Sequence, residues 1–322
     1  MHRKTLAEFT HKVEAGLNLD SENYKQWVFR YTFLELEKDL GTGGDITTKA
    51  VFRGHKVVSA QVVAKDGGVF AGREELNYFL VDAHPNFRPS LRGDFHLDFK
   101  FKDGEQFTAG DVLLEIRADV SDLLAVERVL LNLLGRMCSV ASYARQVVDL
   151  VDGQEVLICS TRKTLWGMLD KKAVLLGGGA THRLNLSDAV MVKDNHFDLF
   201  DRDIEQVVQR IADADVQCRF VEFEVDRVGE ILAICKAFKA HEKEIEAIPV
   251  ILLDNFDPSE IVKGLKSVKE AGYYDDFLFE ASGGINEENV LDYAKTGVDI
   301  ISMGCLTQGV PGVDLGLEIV SR

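Results

Sequence analysis

A chain of 322 residues and 35.9 kDa exceeds what one ordinary core holds, so one large α/β domain with a smaller companion is expected. Hydrophobic residues at 46% against 28% charged, with only five prolines, exclude disorder and collagen-like architecture. A formal net charge of −16, from 37 basic and 53 acidic side chains, repels a polyphosphate backbone and argues against general nucleic-acid binding.

No apolar run reaches the roughly 18 residues needed to span a bilayer, and the start (Met1, His2, Arg3, Lys4, then Glu8) lacks the apolar segment of a secretion signal. A cytoplasmic location is expected. Five cysteines, Cys138, Cys159, Cys218, Cys235 and Cys305, are odd in number, scattered and mostly embedded in apolar runs. They read as buried reduced thiols, and no pair has metal-ligand spacing.

In chain order, the first forty residues carry helical patterns. Segments Val57–Ala64, Phe95–Phe101 and Val112–Ile116 alternate or are β-branched and are separated by turns at Asp66-Gly67-Gly68, Arg92-Gly93-Asp94 and Asp103-Gly104. They predict an antiparallel sheet, with a helix over Glu74–Val81. Apolar positions from Leu123 to Val151 recur at helical spacing and predict a long linking helix, broken once near Ser139. Beyond it, short apolar runs at Val156–Cys159, Ala173–Leu176, Ala189–Val192, Phe220–Val225, Val250–Leu253, Phe277–Phe279 and Asp299–Met303 read as buried strands. Helical stretches follow at Ile204–Ala212, Gly229–Ala240, Pro258–Ala271 and Glu287–Thr296. This alternation means parallel strands joined by crossovers, and about seven in series favour a closed or nearly closed barrel over an open sheet. The expected fold is α/β: an N-terminal α+β domain over 1–120, then a parallel α/β barrel over 121–322 whose C-terminal tail returns to the first domain.

The informative pattern is where polar residues fall. The strand ends give Arg162-Lys163, His182-Arg183, Lys193-Asp194-Asn195-His196, Glu224 with Asp226, Asp254-Asn255, Glu280 with Ser282-Gly283-Gly284, and Gly304. In a parallel barrel these ends share one face. From Thr161 to Lys193 six basic residues stand against two acidic ones, a local excess of positive charge in an acidic chain. Such a cleft focuses field on a small, multiply negative substrate, with arginine suited to gripping carboxylate or phosphate. Asp188, Lys171 and Lys172 are expected on the wet surface. Glu224 and Asp254, at successive strand ends, suit a hydroxyl-rich sugar, Mg²⁺ held partly through substrate phosphates, developing positive charge, or a general acid/base pair; a plain salt-bridge network is the bland alternative. The small-residue turns Ala281-Ser-Gly-Gly-Ile285 and Ser302-Met-Gly-Cys305 can admit a phosphate to backbone N–H groups. Gly177-Gly-Gly179 is ambiguous.

Gly44-Asp-Ile-Thr-Thr48, Glu127-Arg-Val-Leu-Leu-Asn132, Thr161-Arg-Lys-Thr164, His182-Arg183, Val192-Lys-Asp-Asn-His196, Glu222-Phe-Glu-Val-Asp226, Leu253-Asp-Asn255, Ala281-Ser-Gly-Gly-Ile285 and Gly297-Val-Asp-Ile-Ile-Ser302 together resemble the signature series of the quinolinate phosphoribosyltransferases, in that family's order and over nearly the whole chain. The resemblance implies an N-terminal α/β sandwich, an irregular α/β barrel and at least a homodimer with shared active sites. It implies transfer from 5-phosphoribosyl pyrophosphate to quinolinate with Mg²⁺, releasing pyrophosphate and CO₂ and giving nicotinate mononucleotide. Carried over by position, Arg162, Lys163, His182, Arg183 and Lys193 hold the pyridine carboxylates and pyrophosphate. Glu224 and Asp254 face ribose and metal, and with Lys163 form the catalytic set. Ser282, Gly283, Gly284 and Gly304 receive the 5-phosphate, and Arg128 enters a neighbour's site.

The chain departs from the family's pattern at Ser160 for aspartate, Trp166 for proline, Thr181 for asparagine and Gln308 for histidine. These positions bear on the acid substrate. A paralogous phosphoribosyltransferase for another aromatic acid and a non-catalytic phosphosugar-binding homologue are the competing readings. Cys159 is discounted as a nucleophile, since the chemistry needs none.

Overall fold

The computed structural model describes residues 2–83, 91, 93–214 and 216–321, except the side chain of Ser321; Arg92 of the predicted turn lies outside them. The chain forms two compact units that interleave in sequence. One comprises Glu14–Arg145, Trp166–Gly178 and Gly309–Arg322, the other Met1–Val13, Gln146–Leu165 and Gly179–Gln308.

The first unit contains α2 (Glu22–Leu40), α3 (Ile46–Val51), β1 (Val57–Ala64), β2 (Gly68–Val69), α4 (Arg73–Asn77), β3 (His96–Phe99), β4 (Gln106–Phe107), β5 (Val112–Asp119) and most of α5 (Val120–Leu150). A wide π turn, Tyr78–Asp82, continues α4, so the helix expected over Glu74–Val81 is present with a loosened second half. Period-two burial in β1 puts Val58, Ala60, Val62 and Ala64 on the core face. The C-terminal strand β12 (Leu315–Ser321) pairs antiparallel with β1, so the sheet runs β12-β1-β5-β3.

Helix α5 is unbroken. Ser139 donates its hydroxyl to the Gly135 carbonyl at 2.6 Å, which keeps it inside the helix, and accepts the Val313 N–H at 2.8 Å. A residue expected to interrupt the helix instead anchors the C-terminal segment. The predicted strand at Ala173–Leu176 is also corrected: these residues end a helix, α6 (Met168–Leu176), packed through Leu169, Ala173 and Val174. A four-residue apolar run does not distinguish the two periods. Lys171, expected on the surface, is only 3% exposed, and Lys172 pairs with Glu74 at 3.3 Å. Gly177 has a packing role: a Cβ there would stand 2.3 Å from the Ala141 carbonyl oxygen of α5.

Glu75, wholly buried, accepts the Tyr24 hydroxyl at 2.5 Å, and burial pushes its carboxyl up to about 7. Its folded pKa lies above the unfolded one near 4.5, so stability is lost as pH rises from about 4.5 through 7. Glu75→Gln is therefore expected to raise the melting temperature at pH 8, by up to about 3 kcal/mol of stability, and to change little below pH 4.5. Melts of both proteins at pH 4.5 and 8 check this; a pH-independent difference would sink it.

The second unit is a six-stranded parallel sheet in the order β6-β11-β10-β9-β8-β7, from β6 (Leu157–Ser160), β7 (Val190–Val192), β8 (Phe220–Val225), β9 (Ile248–Asp254), β10 (Leu278–Ser282) and β11 (Ile300–Met303). Helices α7 (Asp194–Asp198), α8 (Ile204–Asp213), α9 (Val228–Ala240), α10 (Pro258–Glu270), α11 (Val290–Ala294) and α12 (Cys305–Gln308) fall between or after them. The last strand pairs with the first, which is the strand order of an α/β ring opened between β6 and β7. Ala180 takes the place beside β6 through a parallel bridge to Cys159. No ladder joins Ala180 to β7 among the described residues, so the sheet is not shown as a closed barrel.

Helix α1 (Arg3–His11) packs on this sheet, and Ala7 joins Leu157, Cys159, Phe220, Val250, Leu278 and Ile300 in the core. Arg3 fixes it by a fork on Asp299 at 2.8 and 2.6 Å and by bonds to the Tyr274 and Phe277 carbonyls. At its far end the His11 carbonyl accepts the N–H groups of Thr181 and His182, both at 2.9 Å. The helix thereby holds the segment that leads into the next strand end.

Candidate active site

Arg162 and Lys163 follow β6, Arg183 follows the Ala180 bridge, Lys193 follows β7, and Glu224 and Asp254 lie in the last residues of β8 and β9. All belong to the second unit. Lys193 forms an ion pair with Glu224. Burial and then Glu224 push the Asp254 carboxyl above its usual range, while Lys193 and Lys163 pull it back. Burial and then Arg162 lower Arg183 from its ordinary value. These mutual influences gather six of the expected residues at the carboxyl end of one parallel sheet.

Arg183 is nearly buried, donates Nη1 to the Ala189 carbonyl at 3.3 Å across the opening between β6 and β7, and leaves Nε without a partner. A buried guanidinium with a free donor is suited to an anion. Of the six cations between Thr161 and Lys193, only Arg162, Lys163, Arg183 and Lys193 belong to this unit; Lys171 and Lys172 lie on α6 in the other. Asp188, also expected to be wet, is largely covered: it accepts the Leu184 N–H at 2.8 Å and pairs with Arg219 at 2.7 Å.

The turn after β10 has the backbone freedom a phosphate cradle needs. Gly283 and Gly284 adopt φ of +95° and +63°. A Cβ on Gly283 would lie 2.3 Å from Asn255 Oδ1, whereas one on Gly284 would meet open space. Gly304 is hemmed by Gln308 Oε1, 3.0 Å from where its Cβ would stand, and by Lys163 Cδ at 3.7 Å. Thr307 donates its hydroxyl to the Lys163 carbonyl at 2.8 Å, tying the cationic loop to this turn. Gly283→Ala is expected to cost about 2 kcal/mol or more through φ strain and the Asn255 clash, and to weaken phosphate binding. Denaturant unfolding together with inorganic-phosphate titration tests it; unchanged values in both would refute the cradle.

His182 lies deeper than expected. At 5% exposure it points Nε2 at Glu222 Oε2, 3.2 Å away, and at Glu280 Oε1, 3.4 Å away, with φ of +54°. Glu222 and Glu280 sit inside apolar strand runs and are fully buried, with His11 of α1 beneath them. Burial and then Glu280 raise Glu222 to about 7. His182 therefore forms the floor of the site, with its imidazole turned toward these carboxylates. A charged residue two before Glu224 in a hydrophobic strand was a visible signal of this layer; His11 had none, because its partners are far away in sequence.

Arg128 is in the other unit, lining a cleft of about 340 Å³ with Asn132, Arg136, Trp166, Val310 and Val313.

Residues 45–138 match the N-terminal domain and residues 140–318 the C-terminal domain of quinolinate phosphoribosyl transferase. The chain belongs to the quinolinate phosphoribosyltransferase family. It is 35% identical over 281 residues to a probable carboxylating nicotinate-nucleotide pyrophosphorylase of Methanothermobacter thermautotrophicus, covering 85% of this chain and 93% of that one. The carboxylating enzyme of Mycobacterium leprae is 34% identical over 289 residues, 88% of this chain and 94% of its own. Among solved structures, nicotinate-nucleotide pyrophosphorylase from Ehrlichia chaffeensis superposes with a TM-score of 0.75 at 31% identity, over 92% of this chain and 98% of that one. The Francisella tularensis enzyme gives 0.78 at 25% identity, over 92% and 96%.

Three of the departures from the family pattern acquire local reasons. Ser160 donates its hydroxyl to the Thr181 carbonyl at 3.3 Å, and Thr181 donates to the His11 carbonyl at 3.0 Å and accepts the Val13 N–H at 3.1 Å. Both serve the seating of α1. Trp166 accepts the Trp27 indole N–H at 3.3 Å and lies against Tyr31, with ring centroids 4.4 Å apart.

Proposed function

We infer that the chain joins the phosphoribosyl group of 5-phosphoribosyl pyrophosphate to the ring nitrogen of quinolinate, with loss of CO₂, to give nicotinate mononucleotide for NAD synthesis. The observation that carries this reading is the gathering of Arg162, Lys163, Arg183 and Lys193 with Glu224 and Asp254 at one sheet end, in a chain of this family.

The pyridine nitrogen lone pair bonds to the anomeric carbon as the bond to pyrophosphate breaks, its electron pair leaving with the phosphate. Lys163, Arg162 and Lys193 stabilise the leaving charge, and holding both reactants in one pocket removes much of the entropic barrier. Glu224 and Asp254 face the ribose, where positive charge develops. In the quaternised ring the adjacent carboxylate departs as CO₂, its bonding pair remains on the ring carbon beside N⁺, and that carbon takes a proton. No protein nucleophile is needed. Ser282, Gly283, Gly284 and Gly304 receive the 5-phosphate, and Arg183 with its free Nε, above His182, grips the ring carboxylates.

Asp254, whose carboxyl burial and then Glu224 push up, forms with Glu224 an oxygen donor set suited to Mg²⁺ shared with substrate phosphates. Mg²⁺ would supply neutralisation of the pyrophosphate charge. The reading also includes a homodimer or higher assembly in which Arg128 serves a neighbour's site, and a cytoplasmic location, supported by five free cysteines. Among the described residues no helix is long and apolar enough to cross a membrane.

Purified protein with 5-phosphoribosyl pyrophosphate and Mg²⁺ is expected to release one CO₂ per quinolinate consumed and to leave nicotinate unused. A folded protein that ignores quinolinate but converts another pyridine acid, or binds the phosphosugar without releasing pyrophosphate, overturns the assignment.

A further inference from the structure

Beneath the proposed site, His11, His182, Glu222 and Glu280 bring one ligand atom each within 4.8 Å of one another, and all four are buried. Their hydrogen bonds leave a gap. His182 Nδ1 lies 2.6 Å from the Arg183 N–H and accepts it, so its proton is on Nε2, which faces Glu222 Oε2 and Glu280 Oε1.

The other oxygen of each carboxylate turns away from His182. Glu280 Oε2 lies 3.1 Å and Glu222 Oε1 4.0 Å from His11 Nε2. His11 Nδ1 sits 2.7 Å from the Thr10 hydroxyl, which has the Leu6 and Ala7 carbonyls at 3.0 Å as acceptors for its own proton. The Thr10 oxygen therefore takes the His11 Nδ1 proton, and the Nε2 lone pair faces the carboxylates. His11 Nε2, Glu222 Oε1 and Glu280 Oε2, the three atoms turned toward one another, have no hydrogen-bond partner. Three lone-pair donors thus converge in a dry space that holds two carboxylates.

We propose that His11 Nε2, Glu222 Oε1 and Glu280 Oε2 bind a divalent first-row transition ion, of which Zn²⁺ is the test case. Imidazole with carboxylate suits such ions, and donors about 2.0–2.2 Å from a metal stand roughly 3–3.6 Å apart, near the separations here. One doubly charged ion balances two carboxylates. His182 Nε2–H and the Thr10 hydroxyl then act as the outer hydrogen bonds that orient carboxylate and imidazole ligands. The ion would clamp α1 to β8 and β10 below His182, distinct from Mg²⁺ at Glu224 and Asp254. Its burial means that it is taken up during folding. Residues 1–44 lie outside both matched family domains, so this ligand set includes a residue that the family description does not cover.

The test uses the full-length protein expressed with added Zn²⁺ and dialysed against EDTA until Mg²⁺ is gone. Elemental analysis is expected to find about one Zn²⁺ per chain, and less than about a tenth of that in His11→Phe, which keeps the ring stack on Phe220. Cobalt-loaded protein is expected to show visible absorption bands that the variant lacks. His11→Gln decides the matter if His11→Phe does not fold. Folded protein that takes up no stoichiometric Zn²⁺ or Co²⁺ even when refolded in excess metal, or equal retention in the folded variant, overturns the proposal.

Discussion

Lys193→Ala is expected to lower kcat/KM for quinolinate by about 10³-fold or more while leaving the fold intact. Lys193 is the ion-pair partner of Glu224 and one of two lysines that offset the raised Asp254. Its removal leaves two neighbouring carboxylates with only Lys163 to offset them where two anionic reactants must enter, and takes away a cation that stabilises departing pyrophosphate. Lys193→Arg should recover part of the loss, since charge returns without the compact ammonium geometry. Steady-state kinetics beside near-ultraviolet circular dichroism measure both. A loss below tenfold in a folded Lys193→Ala protein would place this lysine outside the chemistry.

Arg128→Ala is expected to be nearly inactive, and to regain activity when mixed with Lys193→Ala. If each site takes Arg128 from a neighbour, a mixed dimer has one site with every required residue. Random reassortment then returns about a quarter of wild-type activity. Chains unfolded together, refolded and assayed against each variant refolded alone make the measurement. No recovery, with mixed dimers demonstrated by mass, would assign Arg128 to its own subunit or to none.

Long periodic segments were the easiest to read. Helix α5 and strands β1 and β8 follow their patterns within a residue or two, because a 3.6 or 2.0 period sustained over many residues has one way to bury its apolar side. Short apolar runs were harder. Ala173–Leu176 satisfies both periods and became helix, and Ser139 looked like an interruption because its hydroxyl's partner, Val313, is remote in the chain. At the site, strand-end position identified Arg162, Lys163, Arg183, Lys193, Glu224 and Asp254 before any coordinates, since parallel strands must end on one face. His182 was found but its orientation was not. Its direction depends on Glu222 and Glu280, which reach it only once the sheet has formed.

By itself the sequence determined composition class, the two sheet types, the family and the set of cations facing two carboxylates. These follow from local periodicity, turn chemistry and the order of motifs along the chain. Only tertiary structure decided the interleaving of the two units, the seating of α1 on the parallel sheet and the meeting of His11 with Glu280. Such contacts join residues hundreds of positions apart, and side chains that meet only after folding leave no spacing rule in the chain.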